Sequence, residues 1–170
     1  VPDAYEVYHE AQTVELFENL GVLAKNEIEA RFEILNETYV KKLQIEARII
    51  GDMCLSQVIP AAVRYKNVLI ENVKGLKKIF GDDYLSYCTS EMDALKAISK
   101  YINNMSADIE LLVEARKKAN RIENLAQRAK VYSREVKDMM ERVRESADNL
   151  EMLIDNEMWP LPKYRELLFF

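Results

Sequence analysis

The feature that most constrains the fold is a stretch from Asp82 to Trp159 that contains neither glycine nor proline. Within it, apolar residues recur from Ile109 to Ile154 with the three- and four-residue spacing of an amphipathic helix. A single helix over that segment would be roughly 70 Å long, which is improbable inside one domain. We therefore predict a turn between Asn120 and Ser133 and helices that pack along their apolar stripes.

The same spacing occurs in the first half of the chain, where short polar residues precede the periodic segments. Thr13, Asn26 and either Thr89 or Ser90 precede apolar periodic segments and are predicted as N-caps. With only 4 Gly and 4 Pro, 49% hydrophobic and 31% charged residues, the composition is typical of an ordered helical protein. The sequence therefore predicts an all-α fold.

Three positions are expected to end or interrupt these helices. Gly21 and Gly81 follow the last periodic residue of their segments, where glycine commonly ends a helix. Pro60 lies inside a periodic segment and cannot donate to the carbonyl of Ser56, so we expect a kink or a short break there. The prediction is a single helical domain over residues 1–170, a bundle of long antiparallel helices with one kink near Pro60.

Charge is distributed unevenly along the chain. The net charge is −5, which argues against nucleic acid as the main partner because phosphate binding needs a local excess of cations. Residues 1–40 carry nine acids and two basic residues, whereas residues 114–145 carry ten bases and six acids. We interpret both segments as solvated helix faces that attract one another inside the fold, with an anionic partner for the basic segment as the alternative.

Cysteine content and hydropathy indicate the compartment. Cys54 and Cys88 each lie among apolar residues and are expected to be buried thiols in a reducing environment. No apolar run is long enough to span a bilayer and no signal-peptide pattern is present, so the sequence predicts a cytoplasmic protein with no membrane partner. Because Val1 is not preceded by methionine, we expect this chain to be the end of a longer polypeptide.

The residues that most active sites require are scarce. His9 is the single histidine, which argues against zinc proteases, di-iron bundles and histidine-dependent triads. The four glycines are isolated and form no phosphate-binding loop. We therefore assign no catalytic, cofactor-binding or metal-binding residue to this chain, although a metal site made of carboxylates alone stays open as an alternative.

The C-terminal segment, residues 156–170, is unusually rich in anchoring side chains for a chain terminus. Its two prolines stop helix propagation and favour an extended path, so we expect a non-helical or short-helical aromatic tail. Large apolar and aromatic side chains dominate interfaces when they are buried. The interface candidates are Trp159, Pro160, Leu161, Pro162, Tyr164, Leu167, Leu168 and Phe169. The alternative is that they close the core of the bundle itself.

Three stretches resemble one known family. They read TVELFENLGVLAKNEIEARFEIL, YVKKLQIEARIIGDMCLSQVIPAAVRY and LEMLIDNEMWPLPKYRELLFF. Together they closely resemble the C-terminal region of type III glutamine synthetase, the large bacterial form. The likeness covers nearly the whole chain. Its most specific part is the ending from Trp159 to Phe169, followed by I-E-A-R at Ile45–Arg48 with I-P-A at Ile59–Ala61.

This resemblance implies a parent ligase that joins ammonia to glutamate through a γ-glutamyl phosphate, using ATP and Mg²⁺ or Mn²⁺ in a double-ring dodecamer. The family's metal-binding carboxylates and nucleotide contacts belong to an upstream catalytic domain, and no catalytic residue can be carried over to this chain. The expected role is a non-catalytic helical domain that supports subunit packing or regulation. Its partners would be the upstream domain and neighbouring subunits.

A second hypothesis does not depend on the resemblance. The long three-four repeat from Ile109 to Ile154 is also compatible with a stand-alone helical adaptor or coiled-coil module that pairs with a partner helix.

Overall fold

The computed structural model describes residues 1–163 and 165–168, and all regular structure in this part of the chain is helical. The all-α prediction is confirmed. The α-helices are α1 (Pro2–Tyr5), α2 (Ala11–Asn19), α3 (Lys25–Met53), α4 (Ile59–Phe80), α5 (Thr89–Asn120), α6 (Leu125–Val131) and α7 (Lys137–Leu153). Short 3₁₀ helices span Glu6–His9, Gly81–Tyr87 and Glu166–Leu168.

Two π-helical segments, Cys54–Val58 and Tyr132–Val136, interrupt otherwise continuous helices. The first lies directly before Pro60, and the amide of Ile59 donates to the carbonyl of Cys54, five residues back. The wider turn accommodates the proline ring without ending the helix. The interruption predicted near Pro60 is therefore a π-helical turn, whereas the second segment has no proline and was not predicted.

The chain divides into two compact units. The first comprises Val1–Ile49 and Glu110–Glu141, and the second comprises Ile50–Ile109 and Arg142–Phe170. Each unit therefore combines segments that are distant in sequence, and each has its own set of buried side chains.

In the first unit, α5 and α6 form an antiparallel helical hairpin. The chain turns over residues 121–124, inside the range predicted from the sequence. Asn124 is the N-cap of α6, and its side-chain oxygen accepts from the amide of Gln127 at 2.9 Å. An ion pair between Lys118 and Glu135, at 2.9 Å, joins the two sides of the hairpin.

Tyr132 lies at the centre of the first unit's core and is 0% exposed. Its hydroxyl donates to the side-chain oxygen of Asn120 at 2.7 Å, and the amide of Gln44 on α3 donates to the same oxygen at 3.5 Å. Asn120 thus connects three helical segments. Burial raises the pKa of Tyr132 above its ordinary value, although the nearby guanidinium groups of Arg116, Arg128 and Arg48 and the Asn120 hydrogen bond act in the opposite direction.

The acidic N-terminal segment is held against the basic segment by ion pairs. The ammonium group of Lys130 pairs with Glu6, and the guanidinium of Arg134 pairs with Asp3 at 3.3 Å. The mutual attraction expected from the charge distribution is therefore confirmed for these pairs. Because they are largely exposed, each contributes at most about 1 kcal/mol to stability.

The second unit has a core of small and medium apolar side chains. Fully buried residues come from both of its sequence segments: Ala61, Ala62, Cys88, Ile98, Met105, Val143 and Leu150. The buried carboxylate of Asp108 on α5 forms an ion pair with Arg142 on α7. Cys54 and Cys88 are buried free thiols, as expected, and burial raises the pKa of Cys54 to about 11.

The predicted N-caps were wrong by one to three residues. Glu10 precedes α2, so Thr13 lies inside the helix. At the start of α3 the Glu27 carboxylate accepts from the amide of Ala24 at 2.7 Å, and Asn26 lies in the first turn. Thr89 begins α5, and its hydroxyl donates back to Leu85. At α2 no side chain caps the helix, so a short polar residue in the sequence does not by itself determine where a helix begins.

Replacing Asn124 with alanine should destabilise the first unit by about 1 kcal/mol, because the amide of Gln127 loses its acceptor. Thermal or urea unfolding followed by circular dichroism measures this change. Asn104→Ala is the matched control, since Asn104 is exposed in the middle of α5, where alanine has the higher helix propensity. Equal unfolding midpoints for the two variants would contradict the capping role.

Tyr132 should make stability fall at alkaline pH. The pKa of Tyr132 is raised in the folded state. Its contribution to the free energy of unfolding is therefore fully present below the unfolded-state pKa near 10 and is lost as the pH rises through the folded-state pKa. Between about pH 8 and 11, the free energy of unfolding should fall less steeply in Tyr132→Phe than in the wild type. Tyr87→Phe, altered at a side chain that is 57% exposed, should retain the wild-type slope.

Candidate functional site at the C-terminal segment

The segment that follows α7 makes a tight turn before it runs on as the predicted aromatic tail. The carbonyl of Asp155 accepts from the amides of Met158 and Trp159, at 3.1 and 3.0 Å. The Asp155 carboxylate also accepts from the amide of Glu157 at 2.7 Å. An aspartate that bonds the backbone two residues ahead stabilises such a turn, so Asp155 sets the direction in which Trp159 leaves the helix.

Trp159 is the first anchor of the segment and is only 8% exposed. Within the described residues its indole N–H is buried and has no hydrogen-bond partner. The ring is therefore held by apolar contact. As tryptophan buries more apolar surface than most side chains, this residue supplies much of the attachment of the tail to the second unit.

Lys163 is the second anchor, and its burial is unusual for a lysine, with 8% of the residue exposed. Its ammonium group donates to the backbone carbonyls of Glu151 and Ile154, at 2.7 and 2.8 Å. These carbonyls lie at the C-terminal end of α7, where the last turn lacks intrahelical donors and the helix dipole is negative. Lys163 therefore caps α7 from nine and twelve residues downstream.

The residues predicted as interface candidates divide into two groups. Trp159 is buried and Leu161 is half-buried, whereas Pro160 and Pro162 are exposed. Beyond the lysine, Leu167 and Leu168 are 57% and 65% exposed on the 3₁₀ helix Glu166–Leu168. Tyr164 and Phe169, which were also predicted, lie outside the described residues. Trp159 and Leu161 are thus at least partly buried, whereas the two prolines and the leucine pair are exposed.

Sequence reasoning missed Asp155 and Lys163, which position the tail. A signal for Lys163 was present, since basic side chains near a helix C-terminus commonly bind its last carbonyls. Because two prolines separate the helix from the lysine, the sequence did not show that Lys163 lies near the end of α7. That proximity depends on the turn at Asp155.

Within residues 1–163 and 165–168, no group of three or more histidine, cysteine, aspartate or glutamate side chains is placed to hold a metal ion. No described helix is both long and apolar enough to cross a membrane.

The fold and this site define an all-α domain whose C-terminal segment is anchored to its own last long helix. Residues 1–77 match the family model described as glutamine synthetase C-terminal domain. The chain is 37% identical to a glutamine synthetase of Bacteroides fragilis over 170 residues. It is 29% identical to one of Butyrivibrio fibrisolvens and 27% identical to the type-3 glutamine synthetase of Dictyostelium discoideum, each over 169 residues.

These alignments cover 99% of the chain but only 23–24% of each relative. The resemblance to the C-terminal domain of type III glutamine synthetase is thereby confirmed. The chain spans about a quarter of the length of the curated relatives it matches.

Replacing Lys163 with methionine should destabilise the second unit by about 2 kcal/mol, because the substitution removes two charge-assisted hydrogen bonds to the end of α7. Trp159 is the single tryptophan, so its fluorescence emission reports the local environment of the tail. The emission maximum should shift to longer wavelength in Lys163→Met. Lys96→Met, altered at an exposed lysine of the same unit, should retain the wild-type spectrum. A wild-type spectrum in Lys163→Met would contradict the anchoring role.

Proposed function

We propose that this chain is a non-catalytic helical domain of a glutamate–ammonia ligase, and that its tail supports the packing of subunits. The observation that carries the proposal is the division of the tail at Lys163. Trp159 is buried and Lys163 is bonded to the end of α7, whereas the apolar pair Leu167–Leu168 beyond the lysine is exposed. A rigid anchor followed by exposed leucines is a suitable docking element, because little conformational freedom is lost when a partner binds it.

The parent reaction belongs to this proposal. Relatives named glutamine synthetase support ligation of ammonia to glutamate, with ATP driving the reaction through a γ-glutamyl phosphate. ATP and Mg²⁺ or Mn²⁺ would be bound by the catalytic domain that precedes this region in the parent enzyme. In this chain we assign them no ligands. The proposed partners are that catalytic domain and neighbouring subunits of a double-ring dodecamer.

The expected contribution of the leucine pair follows from its exposure. Leu167 and Leu168 are more than half exposed, and burying apolar area against a neighbour favours association by roughly 25 cal/mol per Å². A leucine side chain that becomes fully buried contributes about 1.5–3 kcal/mol relative to one left exposed.

In the full-length ligase that carries this domain, the double substitution Leu167→Ser, Leu168→Ser should weaken subunit association about tenfold or more. Sedimentation velocity across a range of protein concentrations measures the association, and a glutamine-forming assay measures activity in parallel. Circular dichroism should show no loss of helix, since neither side chain is in the core.

The matched control is Leu16→Ser, Leu20→Ser. These leucines are 55% and 64% exposed, which is close to the exposure of the tail pair, but they belong to the first unit. Unchanged association in both double variants would overturn the packing role of the tail. A full-length protein that forms no glutamine under any metal condition would overturn the ligase assignment instead.

A further inference from the structure

A cleft of about 230 Å³ in the first unit is not explained by the proposed function. Residues of the N-terminal segment, α3 and the start of α6 line it: His9, Glu29, Phe32, Glu33, Asn36, Asn124, Leu125 and Ala126. The cleft is distant in sequence from the tail, and it belongs to a different compact unit.

Asn36 is the least expected residue of the cleft lining. It is 1% exposed, and its side-chain nitrogen donates to the carbonyl of Phe32 at 2.9 Å. Its side-chain oxygen has no hydrogen-bond partner within residues 1–163 and 165–168. Buried acceptors are rarely left unpaired in folded proteins, and those that are indicate strain or a missing ligand. Asn36 therefore offers the cleft one unsatisfied acceptor.

Two carboxylates add to this acceptor. Glu29 and Glu33 are one helical turn apart on α3, and both line the cleft. Neither forms an ion pair with a described residue. Asp3 and Glu6 of the same acidic segment are paired with Arg134 and Lys130, so the negative charge of the cleft lining is that of Glu29 and Glu33.

The other residues of the lining form an apolar surface that can contact a short aliphatic group. The ring of Phe32 lies edge-on to the imidazole of His9, with 4.1 Å between ring centroids. Leu125 and Ala126 provide aliphatic surface at the start of α6. The side-chain oxygen of Asn124 is already occupied by the amide of Gln127. The cleft thus combines free acceptors with aromatic and aliphatic surface, and an aromatic face attracts cations.

We propose that this cleft binds a small organic cation, with a primary ammonium or guanidinium group held by Glu29 and Glu33 and by the free oxygen of Asn36. The ligand's aliphatic part would lie against Phe32 and Leu125. Such a group supplies N–H donors and positive charge together, which the three acceptors require. A metal ion is a poorer match, since the described residues place no cluster of three ligating side chains here.

The test is a titration of the 170-residue chain with butylammonium, followed by nuclear magnetic resonance of the Asn36 side-chain amide and the Phe32 ring. Butanol and butyrate are the matched ligand controls, because they retain the aliphatic body and lack the cation. Butylammonium should produce saturable shifts at both residues, and the two controls should not. The proposal would be overturned if butylammonium gave no saturable shift or if butanol gave an equal response. This outcome needs no protein variant.

Protein variants test the acceptors separately. Glu33→Gln should weaken butylammonium binding about fivefold, and Glu29→Gln, Glu33→Gln should abolish it. Glu110→Gln, which alters an exposed glutamate of the same unit outside the cleft lining, should bind as the wild type does. Unchanged binding in the double variant would refute the assigned contacts.

The same cation can come from a free amine or from a lysine side chain of a polypeptide. Lysine blocked at both backbone ends distinguishes these sources, because it carries the same butylammonium group on a peptide backbone. Affinity equal to or above that of butylammonium assigns the cleft to a polypeptide side chain. Much weaker affinity assigns it to a free small cation.

Discussion

Burial of the apolar stripes is the constraint on which the rest of this structure depends. A helix that buries only one stripe needs a second helix beside it, and in the first unit the turn at residues 121–124 supplies one by folding α6 back along α5. The hydroxyl of the buried Tyr132 then donates to Asn120, and the side-chain amide of Gln44 on α3 donates to the same Asn120 oxygen. The apolar spacing therefore comes first, because it requires the helices to pack. The turn then places them side by side, and the polar contacts fix their register relative to one another.

The sequence was sufficient for the helices and their approximate ends, because apolar periodicity and glycine placement are local signals. Gly21 and Gly81 both have positive φ, at 64° and 61°, which explains why helices end there. The π-helical turn at Tyr132–Val136 was not predictable, since it depends on packing. The N-caps were misplaced because a short polar residue does not by itself determine where a helix begins, and Glu10, which precedes α2, makes no side-chain cap.

The contacts that hold the tail could likewise be predicted only in part from the sequence. Trp159 could be recognised as an anchor from its residue type alone, but nothing local indicated that Lys163 would be buried. Its burial depends on the turn at Asp155, which brings the lysine to the carbonyls of Glu151 and Ile154 at the end of α7. The cleft at Asn36 was missed for a comparable reason, because its lining joins residues up to 117 positions apart, from His9 to Ala126.

The tail and the cleft assign different tasks to the two units. In the second unit, the buried ammonium group of Lys163 caps α7, and Leu167 and Leu168 beyond it are exposed. In the first unit, acceptors are left open on α3 beside an aromatic ring. A domain of a larger enzyme can combine such functions because each unit has its own core, so a change in one set of contacts leaves the other core intact.

The buried thiols have a consequence for the chemical lifetime of the protein. With a pKa of about 11, Cys54 exists as a thiolate in only about one molecule in ten thousand at neutral pH. Thiolate is the form that oxidants and alkylating reagents attack, and burial also keeps such reagents away from the sulfur. Cys54 is therefore nearly inert while the second unit stays closed, and its rate of modification measures how often that unit opens.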